Sequence, residues 1–311
     1  MMTTYTSQPY AGTADLQAMI DLLLAVRPAA HLADYPGVGD LRELLELPES
    51  RVNTRLWHDA RGQLAAFAIV DLSRDNMLFE VAPHAFGGEI EAQMIAWSVE
   101  RLRDAEHESG EPVTLDTCCR DDNTARTALL ERHGFVPQVS RTLRMMRPLD
   151  EPIPAPRLPS GFSVRHVAGE REVEAYVALH RAAFGTENMT VDYRLAIMRA
   201  PDYDPELDLI AVAPDGTWAG LCVCRINREE NARTGRNEGW TDPVGTHPEF
   251  RQRGLARALL LTGLSLLKQR GVDAALLGTS SANVVMQRAA ESVGFRPLST
   301  IVWFSKPIFG T

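Results

Sequence analysis

Five residues recur along the chain at one fixed interval. Asn123, Glu131, Gly134, Phe135 and Pro137 are matched by Asn283, Glu291, Gly294, Phe295 and Pro297, each 160 residues further on. The order of elements around them repeats as well. Helical periodicity over Leu16 to Val26 is followed by a turn at Ala60-Arg61-Gly62 and an apolar strand from Leu64 to Val70. In the second half, helical periodicity over Val173 to Phe184 precedes a turn at Pro214-Asp215-Gly216 and a strand from Trp218 to Val223. Each half then reads as a proline-containing bend, a helix, a strand, a short helix, Gly-Phe and a last strand. Strands alternating with helices specify an α/β layered domain, so the chain is expected to fold as two copies of one such domain, each a mixed central sheet flanked by helices.

The division between the copies is marked by composition. Pro148, Pro152, Pro154, Pro156 and Pro159 crowd one short segment that closes at Gly161. Proline fixes φ and restricts the residue before it, so this stretch is extended and reads as a semi-rigid linker. The expected domains are therefore residues 1–147 and 161–311, joined by a linker over residues 148–160.

Lys+Arg 32 against Asp+Glu 41 leaves a net charge of -9. Binding to nucleic acid rests on neutralising phosphates, and this balance argues against it. An acidic protein more naturally draws a cationic small molecule, and any anion site it holds must be a local basic island. The segment from Met1 to Gly12 lacks a basic stretch followed by an apolar core, and no run reaches the roughly 18 uncharged residues of a membrane span. The expectation is a cytoplasmic protein without a membrane partner. Cys118, Cys119, Cys222 and Cys224 form no CxxC pair and the histidines have no ligand spacing, so reduced buried thiols and no metal are expected.

The basic island is found at residues 251–257. A strand ends near Thr246, and a loop carrying Arg251, Gln252 and Arg253 leads to Gly254, which opens a helix with apolar Leu255, Ala258, Leu259, Leu261 and Leu266. A helix N-terminus offers N–H groups without partners and the positive end of a dipole, which together suit an anion. Arg251, Arg253 and Arg257 outnumber Glu249, and Gly254 has no Cβ to hold a phosphate away.

This segment resembles the acyl-CoA pyrophosphate loop of the GCN5-related N-acetyltransferase (GNAT) superfamily. The signature Gln/Arg-x-x-Gly-x-Gly/Ala is matched by Arg251, Gly254 and Ala256. Asn283 follows 29 residues after Gly254, and then Gly294-Phe295, with the spacing of the family's later motif. The resemblance covers most of residues 161–311. It implies acetyl-CoA as cosubstrate, held by Val244, Gly245, Thr246, Arg251, Gln252, Arg253, Gly254, Leu255, Ala256 and Arg257, with Asn283 on the CoA arm. Asn283 is equally suited to cap the helix that follows it.

The first half departs from this pattern. Aligning Val81-Ala82-Pro83-His84 with Thr246-His247-Pro248-Glu249 puts Glu89 at the position of Gly254 and Glu91 at that of Ala256. Two carboxylates at a helix N-terminus satisfy the dipole from within and repel a pyrophosphate. The first half is expected to keep the fold without the cofactor site.

Transfer to an amine needs a base, because only the unprotonated amine attacks a thioester. In the family this is often a carboxylate on the strand that leads into the loop. Asp242 and Glu238 lie there, four residues apart on one face with Trp240 between them, and Asp242 is nearer the loop. His247, in a Thr-His-Pro strand-end turn, reads as positional. The tyrosine that many relatives use as general acid falls at Ala290 here, which leaves Tyr176, Tyr193, Tyr203 or water. The resemblance thus implies an N-acetyltransferase acting on a primary amine of a small, cationic acceptor, as a monomer or homodimer. Its alternatives are mycothiol synthase-like chemistry and a non-catalytic acyl-CoA sensor.

Overall fold

The computed structural model describes residues 5–32, 34–109 and 113–308, with the side chains of residues 105–109 left aside. Met1 to Thr4, part of the stretch read for a leader, lie outside the described residues, as does the side chain of His107. The chain forms two compact units, one of residues 1–139 with 301–311 and the other of residues 140–300.

The first unit contains β1 (Thr6–Pro9), α1 (Thr13–Val26), α2 (Val38–Glu46), α3 (Pro48–Val52), β2 (Thr54–His58), β3 (Leu64–Asp71), β4 (Asn76–Val81), α4 (Glu89–Ser109), β5 (Thr114–Arg120) and α5 (Thr124–Arg132). Next come β6 (Val136–Pro148), β7 (Ser163–His166), α6 (Val173–Phe184), α7 (Val191–Arg199), β8 (Asp208–Val212), β9 (Trp218–Arg225), α8 (Arg228–Thr234), β10 (Glu238–Thr246), α9 (Leu255–Gln269), β11 (Ala274–Ser280), α10 (Val284–Ser292) and β12 (Arg296–Pro307). Strand order is β1-β2-β3-β4-β5-β12 in the first unit and β6-β11-β10-β9-β8-β7 in the second. β4 with β5 and β10 with β11 are parallel pairs.

Alternating side chains place apolar groups on both faces of each sheet. On β9, Leu221 and Val223 pack with α6 and α7, while Cys222 and Cys224 pack with α9 on the other face. On β3, Phe67 and Ile69 meet α1 and α2, while Ala66, Ala68 and Val70 meet α4. Each unit is thus a sheet between helical layers, the α/β architecture expected. α9 is the most deeply buried helix, with Leu255, Leu259, Leu260, Leu261, Leu264 and Leu267 all at 1% exposure or less.

The repeat is visible atom by atom. Asn123 and Asn283 each cap a helix by accepting from the N–H three residues on, both at 3.1 Å. Gly134 and Gly294 take positive φ of 79° and 92°, as a helix-ending glycine should. Phe135 and Phe295 are both 2% exposed in the core of their own unit.

The boundary differs from the one drawn at the prolines. β6 pairs with β11 from Thr142 to Pro148, and β12 pairs with β5 from Ile301 to Pro307. Each unit therefore completes its sheet with a strand from the other half of the sequence, an exchange that duplicated domains can make at little cost. The proline segment is extended as expected, but it lies within the second unit. There Ile153 and Leu158 pack on the core and the Pro152 carbonyl accepts from Arg147 at 3.0 Å.

All four cysteines are free and buried. Cys222 and Cys224 share a face 3.9 Å apart, and each other's proximity together with burial lifts the Cys222 thiol well above its usual range. Gly263 of α9 lies against this pair: a Cβ there would stand 2.5 Å from Cys224 Sγ. Alanine normally improves a helix interior over glycine by about 1 kcal/mol. Here overpacking should outweigh that gain, and Gly263→Ala is expected to destabilise the protein by about 1–2 kcal/mol in denaturant unfolding. Adding Cys224→Ala should recover most of the loss, and an unaffected Gly263→Ala protein would contradict the packing described.

Candidate active site

β10 and β11 run side by side for three residue pairs only, ending at Trp240 with Leu276. The Thr241 hydroxyl still reaches the Leu276 carbonyl at 3.3 Å, and beyond it β10 stays with β9 alone through a register shift between Thr241 and Val244. A cleft therefore opens between the later parts of the two strands. Its edges carry Asp242, Val244, Gly245 and Thr246 on one side and Gly278 on the other. Gly278 has a reason to be glycine: a Cβ would come within 3.1 Å of Asp242 Oδ2. Gly245 has a different one, since a Cβ there would meet Ala183 and the Phe184 ring at 3.0 Å, so the residue answers to α6 packing.

The expected base candidates separate. Glu238 sits where the strands are still paired, and its carboxylate accepts from Arg236 at 3.4 Å. Asp242 lies beyond the parting point, four residues and roughly 13 Å further along the strand than Glu238 at about 3.3 Å per residue. Arg144, buried on β6 and paired in register with Gly278, lays its guanidinium 4.9 Å from the Trp240 ring centre. Sequence reading missed Arg144, because its place depends on the strand exchange. A glycine inside a strand was the available signal for Gly278.

The loop after β10 makes a short 3₁₀ turn over Pro248–Phe250. His247 takes the positional part expected of it: its N–H donates to the Ala219 carbonyl at 3.0 Å, and its Nδ1 accepts from Glu249 N at 3.4 Å. Arg251 donates to the Thr246 carbonyl at 3.4 Å and the Ala183 carbonyl at 2.9 Å, bracing the loop on the last turn of α6. Gln252 and Gly254 take positive φ of 61° and 80°. The space in front of Gly254 is open, so backbone conformation selects glycine here.

Among the described residues, no backbone bond outside the regular elements is donated by Gln252, Arg253, Gly254, Leu255, Ala256 or Arg257. The first bond of α9 runs from Ala258 N to the Gly254 carbonyl. Leu255 is 1% exposed and gives the site only its backbone. Arg251, Arg253 and Arg257 have no carboxylate partner among the described residues, whereas Arg27, Arg120, Arg165, Arg194 and Arg270 all do. A run of available N–H groups under three uncompensated guanidiniums is what an anion with several oxygens requires. Asn283 spends Oδ1 on its cap and keeps an Nδ2 with no partner among the described residues.

The tyrosines narrow. Tyr176 is 1% exposed with its ring against Arg194, and Tyr203 donates to Asp208 Oδ2 at 2.7 Å. Burial pushes both phenols well above their usual range, so neither hydroxyl serves as an acid in the cleft. Ala290 is fully buried. Tyr193 and water remain.

In the first unit the equivalent cleft is lined differently. β4 and β5 pair only at Asn76 with Asp116. Buried Glu80, near the end of β4, accepts from Arg27 Nε at 2.7 Å and from Arg126 Nη1 at 3.3 Å. At the start of α4, Glu91 is 1% exposed and its Oε1 accepts from Gly87 N at 2.5 Å. Acidic groups occupy both the cleft and the helix N-terminus. Burial opposes the charge on Glu80, but Arg27 and Arg126 overcome it and hold the carboxyl below the usual range. A depressed folded value gives stability that is present above the unfolded value of about 4.3 and lost as pH falls through the folded one. Glu80→Gln should therefore cost about 3 kcal/mol at pH 7, with the difference from the parent shrinking as pH drops below about 4. A pH-independent difference in chemical unfolding would contradict the ion cluster.

Comparison with known proteins agrees with this geometry. The model of the acetyltransferase (GNAT) family matches residues 173–295. A protein named mycothiol acetyltransferase from Thermobispora bispora is 34% identical over 166 residues, covering 52% of this chain and 56% of the relative. A namesake from Frankia casuarinae is 33% identical over 193 residues, covering 58% and 55%. The chain thus spans about half the length of the curated relatives it matches. Among solved structures, a GCN5-related N-acetyltransferase from Sphaerobacter thermophilus is 25% identical with a TM-score of 0.70, covering 98% of this chain and 96% of that one. A tandem GNAT protein from the clavulanic acid biosynthesis pathway superposes with a TM-score of 0.71 at 16% identity, covering 99% of each chain. The second unit thus carries a segment that matches the GNAT acetyltransferase family, and the chain is similar in fold along its length to GNAT structures, one of them a tandem protein.

Proposed function

We propose that the protein transfers an acetyl group from acetyl-CoA to a primary amine of a small, cationic acceptor, in the cleft of the second unit. The observation that carries this reading is the run of N–H groups from Gln252 to Arg257 at the end of a strand that has parted from its neighbour. Acetyl-CoA supplies an activated acyl group as a thioester. The N–H groups of the α9 N-terminus, with Arg253 and Arg257, would hold its pyrophosphate, and Arg251 keeps the loop in place. The edge of β10 from Val244 to Thr246, no longer spent on β11, offers backbone donors to a thioester carbonyl. Asn283 Nδ2 is available to the CoA arm. Asp242 would take the amine proton, directly or through water, and Tyr193 or water would return one to the leaving thiolate.

The first unit keeps the fold without this chemistry, since Glu80 and Glu91 occupy the corresponding positions. A second reading, that the acceptor is mycothiol lacking its acetyl group, is favoured by the name carried by relatives of the second half. A panel of amines that includes this thiol, assayed for release of free CoA, separates the two. An absence of release with every amine, despite CoA binding, would instead favour a sensor.

Two variants test the assignment. Ala256 is half-buried in the first turn of α9, and Ala256→Glu places there the group the first half has at Glu91. Glutamate suits a helix start, so folding should survive while CoA affinity falls by at least about 100-fold, from like charge in a poorly screened site. Unchanged affinity would mean that the pyrophosphate lies elsewhere. Asp242→Asn should lower kcat/KM by roughly 10²–10⁴ near neutral pH, with CoA affinity unchanged. The deficit should shrink as pH approaches the pKa of the acceptor amine, where the substrate arrives deprotonated. If Glu238→Gln shows this pattern and Asp242→Asn does not, the base lies at the paired end of β10.

A further inference from the structure

We propose that the first unit carries a binding site of its own, for a small organic anion with an apolar body. A cavity of about 350 Å³ lies between the ends of β4 and β5 and the first turn of α5, within the range of roughly 300–1,000 Å³ typical of small-molecule sites. It is bounded by the Glu80 ion cluster, and all of its lining residues belong to the first unit.

The cavity wall carries three guanidiniums, Arg27, Arg120 and Arg126, against two carboxylates, Glu80 and Asp34. The three cations are not equally committed. Arg27 is spent on Glu80 and on the carbonyls of Asp34 and Pro36. Arg126 gives Nη1 to Glu80 and Nη2 to the Phe79 carbonyl, while its Nε is buried with no partner. Arg120 gives Nε and Nη2 to Asp122 at 3.0 and 2.9 Å and stands 4.0 Å from Asp34, while its Nη1 has no partner among the described residues. Asn123 has committed Oδ1 to capping α5, so only its amide nitrogen is left to face a ligand. The three guanidiniums are balanced by Glu80, Asp34 and Asp122, so what the wall offers a ligand is hydrogen-bond donors, and a buried donor without an acceptor is costly to leave so.

The rest of the wall decides the body of the ligand. Val26, Val81, Phe86 and Ile301 are apolar. Cys119 also lines the cavity, and burial pushes its thiol up, so it adds no negative charge. An anionic head would sit by Arg120, Asn123 and Arg126, with a hydrocarbon body against the apolar wall.

Hexanoate, hexanol and hexylamine share one tail and differ in the charge of the head, so they can be titrated into the full-length protein by ligand-observed NMR. Hexanoate should bind at least about tenfold tighter than hexanol, and hexylamine should not bind. Arg120→Gln should weaken hexanoate roughly tenfold, the effect of losing one charged hydrogen bond. Ala125 is exposed on α5 and lines the cavity, so Ala125→Trp should block binding while circular dichroism and melting stay unchanged. Saturating CoA should leave hexanoate in place. Equal affinity for the three probes, undiminished binding to Ala125→Trp, or displacement by CoA would each overturn the proposal.

Discussion

The parallel pairing between β10 and β11 stops at Trp240, and the candidate site of the second unit depends on that early stop. A strand released from its neighbour presents backbone groups that are otherwise consumed in the sheet. The same release sets the direction of the loop after Thr246, and hence the start of α9. With its heavily buried leucines, α9 is fixed by the core, so its N-terminus is held in place as a donor set. Arg251 reinforces the arrangement through two carbonyls, one at the end of β10 and one at the end of α6.

The first unit has the same strand parting and a different occupant. Where the second unit has Gly245 at the strand end, the first has Glu80 under two arginines. Where the second begins its helix with Gly254, Leu255 and Ala256, the first begins with Glu89 and folds Glu91 back on Gly87. In the function proposed above, a few carboxylates separate the unit that receives the pyrophosphate from the one that does not. The asymmetry also fits the charge of the chain: the net charge is -9, and the second half concentrates at one helix end cations that have no carboxylate partner among the described residues.

Much of this was legible in the sequence, for local reasons. An asparagine that caps, a glycine at positive φ and a phenylalanine that fills a core each leave a mark that does not depend on the rest of the fold, and the interval of 160 residues follows from them. The helices at Val173–Phe184 and from Leu255 onward were visible in their apolar periodicity. The strand exchange was not, because β6 and β12 follow equivalent Gly-Phe corners and either could pair with either neighbour. That pairing is what draws Arg144 to Trp240 and moves the unit boundary away from the prolines. The separation of Asp242 from Glu238 was equally hidden, since alternation places both on one face without telling where the neighbouring strand departs. Tyr176 and Tyr203 looked available in sequence and are buried in an ion network that only tertiary packing creates.

The central claim is that two copies of one fold hold a single CoA site, in the second. Isothermal titration of the full-length protein with acetyl-CoA tests it most directly. One site per chain is the predicted result, with the amide signals of Gln252 to Arg257 shifting on binding and those around Gly87 to Glu91 unmoved. Two sites per chain, or shifts confined to the start of α4, would contradict it.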